Sequence, residues 1–310
     1  MRLRAAFAER MFGMALTSFP EEKFAPASHL RNEYETRVAR GMARMKESTV
    51  VIAGLARNIS HVFERTSANI DQLGGMFKDY RVVIYENDSS DDTPQRLTAH
   101  AQANPQWHVV SESRGDPVNP TARCLKRAER MAIYRNAYLD IVRERYSDFG
   151  YAIVVDTDLA VGWSCLGVAN TFGHEGWDFM GSNGIIYRRK GLNPNLPMQY
   201  DAWAFRLDEA YTALTTREVN VMQFQRGEPP VAVTCCFGGL GVYRMPVFLA
   251  GRYAGDDIDH VTHLRRARAA GFGKVFLNPS QLTIYGRHWR KSDRFYMPLL
   301  RNVLRKPILG

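Results

Sequence analysis

Apolar residues fall into two kinds of stretch along this chain: short runs without helical periodicity, and longer segments in which they recur every three or four positions. Thr49–Leu55 is a β-branched run of the first kind and predicts a strand. Ala56, Arg57 and Asn58 follow it, then a helix from about Ser60 to Phe77 ended by Gly74 and Gly75. Tyr80–Tyr85 predicts a second strand, and the polar run Glu86–Pro94 leads into a helix with Asp91 or Asp92 as its cap and Pro94 in its first turn. Trp107–Ser111 predicts a third strand. A helix from Ala122 to Tyr146, carrying Leu125, Ala128, Ala132, Tyr138, Ile141 and Val142, then leads into the apolar run Tyr151–Val155. The order β-α-β-α-β-α-β predicts an α/β fold, with a mainly parallel, Rossmann-like sheet flanked by helices and right-handed crossovers.

Ahead of that unit, Leu30, Tyr34, Val38, Met42 and Met45 mark one apolar face, so residues 1–48 read as a helical extension packed on the main domain. Beyond residue 158 the pattern loosens into shorter apolar pieces, Phe179–Gly181 and Val231–Thr234, separated by loops that suit substrate-site elaboration. With no fixed-period repeat, the expected division is an extension over 1–48, one domain over 49–290 and a basic segment over 291–310.

Composition narrows the class. In 310 residues, 45% hydrophobic content is ordinary for a globular protein. Cys124, Cys165, Cys235 and Cys236 show no C-x-x-C spacing, which predicts buried free thiols in a reducing compartment. The longest uncharged runs, Leu159–His174 and Pro229–Tyr243, are too short and too interrupted to span a membrane. Glu9 and Arg10 break the apolar stretch near the start, so no cleavable signal is expected and a cytoplasmic location follows. The net charge of +9 is uneven, because residues 286–310 hold seven Arg or Lys against the single Asp293. Phe295, Tyr296, Leu299, Leu300, Val303 and Leu304 interleave with Arg294, Arg301, Arg305 and Lys306, which suits either a solvated basic surface or peripheral contact with a membrane.

The candidate chemistry sits at strand ends. Asp156 and Asp158 flank Thr157 directly after a buried strand, and ligands of open α/β sheets bind outside the carboxyl ends of the strands. Paired carboxylates there suit Mg2+ or Mn2+ with a diphosphate, although a strand-end turn also favours Asp. Glu86 and Asp88 end the second strand, where carboxylates can accept from a base edge or ribose hydroxyl or can simply build the turn into the next helix. Tyr200, Asp201 and Trp203 can form a sugar platform, with core packing as the other use of Trp203. Gly238, Gly239 and Gly241 allow a close backbone approach to a ligand, and Gly181–Gly184 can form a further donor-sugar loop or an ordinary turn.

The first strand with Ala56–Asn58, the Glu86–Thr93 segment, Tyr134–Ala137 and Asp156–Asp158 occur in order, and together they resemble nucleotide-sugar-dependent glycosyltransferases of GT-A fold. Tyr200–Ala204 and Cys236–Gly241 resemble, more narrowly, the fungal capsule-associated α-1,3-mannosyltransferase family. The resemblance covers roughly residues 49–290. It implies that Asp158 and Asp156 meet Mn2+ or Mg2+ and the diphosphate, with Thr157 between them and Ala56, Arg57 and Asn58 on the donor side. Glu86 and Asp88 would lie near the nucleoside, and Arg135 with Asn136 near the diphosphate or donor sugar. His288 is the implied further metal ligand.

The implied reaction moves a hexose, mannose first, from a GDP- or UDP-linked donor to a glycan or glycolipid hydroxyl. An inverting reaction needs a base, for which Asp257 or Asp259 is the candidate, with His260 nearby; their other reading is the start of a helix over Val261–Ala270. The fungal resemblance suggests retention instead, and the stereochemistry stays open. Two alternatives stand beside this reading. A nucleotidyltransferase would carry a glycine-rich basic loop after the first strand, where this chain has Ala53–Arg57. A non-catalytic binder of nucleic acid or membrane surface would use the net positive charge, but the acidic clusters oppose a polyanion.

Overall fold

The computed structural model describes residues 19–120, 124–190 and 193–288. Helix α1 (Arg31–Glu47) precedes β1 (Thr49–Ala56), α2 (Phe63–Gly74), β2 (Asp79–Asn87), α3 (Thr93–Ala103), β3 (Trp107–Glu112), α4 (Leu125–Arg145) and β4 (Tyr151–Asp156). Strand β1 pairs in parallel with β2 and β4, and β2 pairs in parallel with β3. Val51 and Ala53 join the core under Tyr138, Leu139 and Val142 of α4, while Val50 and Ile52 join the opposite core with Ile70 and Leu73 of α2. Burial on both faces is why these strands read as continuous apolar runs.

The chain continues through β5 (Gly162–Trp163), α5 (Cys165–Gly173), β6 (Phe179–Lys190), β7 (Asn193–Gln199), α6 (Thr216–Asn220), β8 (Val231–Ala232), β9 (Leu240–Arg244), α7 (Met245–Ala250), α8 (Asp259–Ala269) and β10 (Val275–His288). The sheet order is β3-β2-β1-β4-β9-β6-β10-β5, with β7 on β6 and β8 on β10. Since β9 is antiparallel to both β4 and β6, and β10 is parallel to β6, strands β1 to β4, β6 and β10 all point one way. The result is a mostly parallel central sheet flanked by helices.

The sequence predicts loops for much of this second half, and the structure corrects that. Gly181–Gly184 lies inside β6, buried, with Gly181 against the Cys236 carbonyl and Gly184 against Gly238. Strand β10 was hidden by its polarity, because Asn278, Ser280, Gln281 and Thr283 are all fully buried. Their hydrogen bonds explain this: Asn278 Nδ2 donates to Thr171 Oγ1 at 2.8 Å, Thr171 donates to Gln281 Oε1 at 2.7 Å, and Gln281 Nε2 donates to Ser182 at 3.0 Å.

Helix α1 packs on α5 through Tyr34, Val38, Gly41 and Met45. A Cβ on Gly41 would lie 1.7 Å from the Ala169 carbonyl oxygen, so the glycine sets the helix separation. Met42, expected on this face, is exposed, because the 34-38-41-45 spacing turns it outward. Cys165, Cys235 and Cys236 are buried and free, whereas Cys124 is exposed at the start of α4, contrary to the expectation for all four thiols. Among the described residues, no helix is long and apolar enough to cross a membrane.

Candidate active site

The carboxyl ends of β1 and β4 open into a cavity of about 260 Å³. Leu55 of β1 is in register with Asp156 of β4, and the turn after Asp156 is pinned from both sides. The Thr157 hydroxyl donates to the Leu55 carbonyl at 2.5 Å, and Thr66 of α2 donates to the Thr157 carbonyl at 2.9 Å. Asp156, Thr157 and Asp158 all line the cavity, with Thr157 acting as the fastener of the turn.

Helix α4 presents Arg127, Met131, Tyr134 and Arg135 to this cavity, a stripe at intervals of four, three and one. Arg135 is 4% exposed. Its guanidinium pairs with Asp259 through Nε, lies 3.5 Å from Asp156 Oδ1 and donates to the Tyr138 hydroxyl at 3.2 Å, between the rings of Phe237 and Tyr253. Burial disfavours its charge, but Tyr138, Asp259 and Asp156 more than offset that and hold it protonated. Arg135 is thus paired across the fold and not on the helix surface.

Four carboxyl side chains, those of Asp156, Asp158, Asp201 and Asp259, line the same cavity. Burial pushes the Asp156 carboxyl up to about 6, with Arg135 opposing and the charge of Asp158 adding to the rise. Asp201 is raised well above the usual carboxylate range by burial and by the charges of Asp156 and Asp259. Tyr200 donates to Asp156 Oδ2 at 2.8 Å while its ring stacks on Tyr285, 4.6 Å between centroids. That use of its hydroxyl makes Tyr200 a support for Asp156 as well as a wall of the cavity. Trp203 is a half-buried cavity wall, not core, and carries the Arg127 guanidinium 5.8 Å from its ring centroid.

On the β2 side, Arg57 lines the cavity beside Ala56, Asn87 and Tyr134, and donates to the Asp116 carbonyl at 2.7 Å. Tyr134 donates to the Asp116 carboxylate at 2.9 Å. Glu86 and Asp88 do not line the cavity; they build the wall behind it. Glu86 is 1% exposed and accepts from the Ser89 N–H and the Ser111 hydroxyl. Asp88 accepts from the N–H groups of Arg114, Gly115 and Asp116 at 2.8 to 3.1 Å. Although some desolvation opposes it, these bonds and one from Asn87 hold the Asp88 carboxyl down to about 2. Asn58, at φ 56°, accepts from the Ser90 N–H and also stays out of the cavity lining.

Four further expectations are redirected by geometry. Asn136 exchanges hydrogen bonds with the backbone of Tyr253, at 3.0 and 3.1 Å, and does not line the cavity. Asp257 pairs with fully buried Arg206 and accepts from the Ile258 N–H, also away from the cavity lining. Asp259 does line the cavity, as the first residue of α8, but its carboxylate is held by Arg135. Gly238 and Gly239 have φ of 64° and 89°; a Cβ on Gly238 would meet the Ser182 carbonyl, and the Gly239 carbonyl accepts from the Asp156 N–H. Those glycines let β9 approach β6 and fix Asp156, a closeness of backbone to backbone. His288 ends β10 and its side chain lies outside those described.

No family model and no curated protein matches the chain. It is similar to solved structures at low identity. One is the mannosyltransferase PcManGT from Pyrobaculum calidifontis with GDP-Man and Mn2+, at 12% identity over 91% of this chain and 76% of that one, TM-score 0.47. Another is GalNAc-T7 with UDP, GalNAc and Mn2+, at 14% identity over 93% of this chain but only 58% of that one, TM-score 0.48. A third is S. aureus TarS 1–349, at 11% identity over 84% and 67%, TM-score 0.44. None of these comparisons supports the narrower fungal resemblance, and the chemistry has to be read from the site.

The donor set fits a hard divalent cation. Asp156 and Asp158 both line the cavity and offer it carboxylate oxygens, the donor type that such a cation takes. Among the described residues no three His, Cys, Asp or Glu side chains converge on one point. Two carboxylates leave positions for phosphate and water, the usual arrangement for Mg2+ or Mn2+ at a nucleotide.

Proposed function

We propose that this protein is a metal-dependent glycosyltransferase of GT-A type that moves a hexose from a nucleoside diphosphate sugar to a hydroxyl of a glycan or glycolipid. The observation that carries the reading is the surplus of carboxylates around a buried, fixed arginine at the carboxyl ends of β1 and β4. Asp158 and Asp156 would hold the cation, which when bound neutralises charge on the leaving diphosphate. Arg135 presents a preorganised guanidinium to the same region, kept in place by Asp259 and the flanking rings. Trp203 and Asp201 form the sugar wall, while Arg57, Asn87 and Tyr134 line the side assigned to the nucleoside.

Mannose is the first choice of sugar, on the resemblance of Tyr200–Ala204 and Cys236–Gly241, with GDP or UDP as the nucleotide. With Asp257 and Asp259 both ion-paired, neither stands ready as a base, which favours a retaining reaction within this proposal. The test is a panel of GDP-, UDP- and ADP-sugars with Mn2+ or with EDTA, read by thermal shift and slow donor hydrolysis. One donor should stabilise the protein and be hydrolysed only with the metal; no metal-dependent response to any of them would overturn the proposal.

A further inference from the structure

Three side chains that line the cavity, Arg57 through Nε, Asp201 and His260, hold buried polar atoms that no described residue satisfies, and the last two concern the sugar side. His260 is 3% exposed and lines the cavity, and neither of its ring nitrogens has a hydrogen-bond partner. Asp201 lines the same cavity, and its Oδ2 is likewise buried without a partner. Leaving buried polar atoms unpaired costs free energy, so two on one wall call for something that pairs with them. Asp201 also sits in the left-handed region, at φ 59° and ψ 36°, a backbone strain that side chains at ligand sites often carry.

The placement of His260 narrows what that partner is. Its ring lies flat on Phe237, 3.7 Å between centroids and 17° between planes, and the Arg135 guanidinium stands 5.4 Å from the centroid of that same Phe237 ring. Asp259, the preceding residue, pairs with Arg135 directly. His260 therefore borders the end of the cavity where the diphosphate would lie, and what is bonded to a donor's diphosphate is its sugar. Burial, with the charges of Arg135 and His263, keeps the imidazole neutral. A neutral imidazole offers one N–H donor and one lone-pair acceptor, the complement of sugar hydroxyls, and it gives no Coulombic attraction to an anion. An apolar ligand would leave both nitrogens as they are.

We propose that His260, together with Asp201, recognises hydroxyls of the donor sugar and so distinguishes the sugar nucleotide from the nucleoside diphosphate left after transfer. This rests on the glycosyltransferase reading above. The experiment is calorimetric binding, in Mn2+, of GDP-mannose against GDP and of UDP-glucose against UDP, to the wild-type protein, His260→Phe and His260→Gln. Phe keeps a flat ring for the Phe237 stack without the nitrogens, and Gln restores a donor and an acceptor.

For the donor pair that the wild type binds, His260→Phe should weaken the sugar nucleotide about tenfold while leaving the free diphosphate unchanged, and Gln should recover part of the loss. Equal affinities of His260→Phe and wild type for the sugar nucleotide would overturn the inference, the nitrogens then holding water only. Parallel loss of both ligands would overturn it too, by making the role structural. A wild type that prefers neither sugar nucleotide over its diphosphate also overturns it, whereas a wild type that binds no nucleotide at all defeats the glycosyltransferase reading itself.

Discussion

Asp158→Asn keeps the shape of the turn that Thr157 fastens and removes one of the two charges assigned to the cation. The expected outcome is an unchanged melting temperature in EDTA, loss of the extra stabilisation by donor with Mn2+, and turnover lower by a factor of at least about 100. Normal turnover of the purified variant would remove Asp158 from the mechanism. Asp88 makes a different prediction, about stability and pH. Its carboxyl falls from 3.8 to about 2 in the folded protein, so its contribution is complete above the unfolded value and disappears as pH drops through the folded one. Asp88→Asn should therefore melt a few degrees lower than wild type at pH 7, with the gap closing as pH falls from about 4 through about 2 and absent only below that; a gap independent of pH would contradict this. At this scale the sequence shows which residues carry charge but not what they face. Glu86 and Asp88 read either as ligands for a nucleoside or as builders of a turn, and in the structure they hold a loop: the Ser111 hydroxyl that donates to Glu86 and the Arg114 and Gly115 N–H groups that donate to Asp88 lie some 25 residues further along.

Helix α4 shows what periodicity can and cannot reveal. Once Arg135 is placed at the site, steps of four name Met131 and Arg127 as its companions on the same face, and Tyr134 joins them three residues on from Met131. Nothing along the chain places Phe237 or Tyr285 beside them, since these arrive on the approach to β9 and on β10. The crossing of α1 on α5 gives a prediction of its own. Gly41→Ala puts a methyl into the Ala169 backbone and should cost about 1–3 kcal/mol in urea unfolding. The neighbouring Met42→Ala, on the exposed side, should stay within about 0.5 kcal/mol. Equal costs would mean that the α1 face is misassigned.

Across the molecule, a cavity that mixes four Asp with three Arg contrasts with a sequence end that is mainly basic. Residues 291–310 lie outside the described structure, but their composition of basic and apolar residues in near-helical alternation suits an anionic surface. We propose that this segment brings the protein to anionic membranes, where a glycolipid acceptor would lie. The full chain should float with vesicles containing anionic lipid at low salt and stay behind at about 0.5 M salt, and a version ending at residue 290 should stay behind in both. Flotation of the shortened chain at low salt would place the contact elsewhere.

The first four strands and three intervening helices were readable from the chain itself, because strands buried on both faces must be continuously apolar and helices buried on one face must repeat every three or four residues. The acidic turn after β4 was readable for the same reason, as the polar end of an apolar run. Folding alone decided that β9 would reverse between β4 and β6, that the polar run of β10 would be a buried strand, and that Arg135 would meet Asp156 and Asp259. Those pairings join residues far apart along the chain or match polar group to polar group, and local pattern carries no record of either.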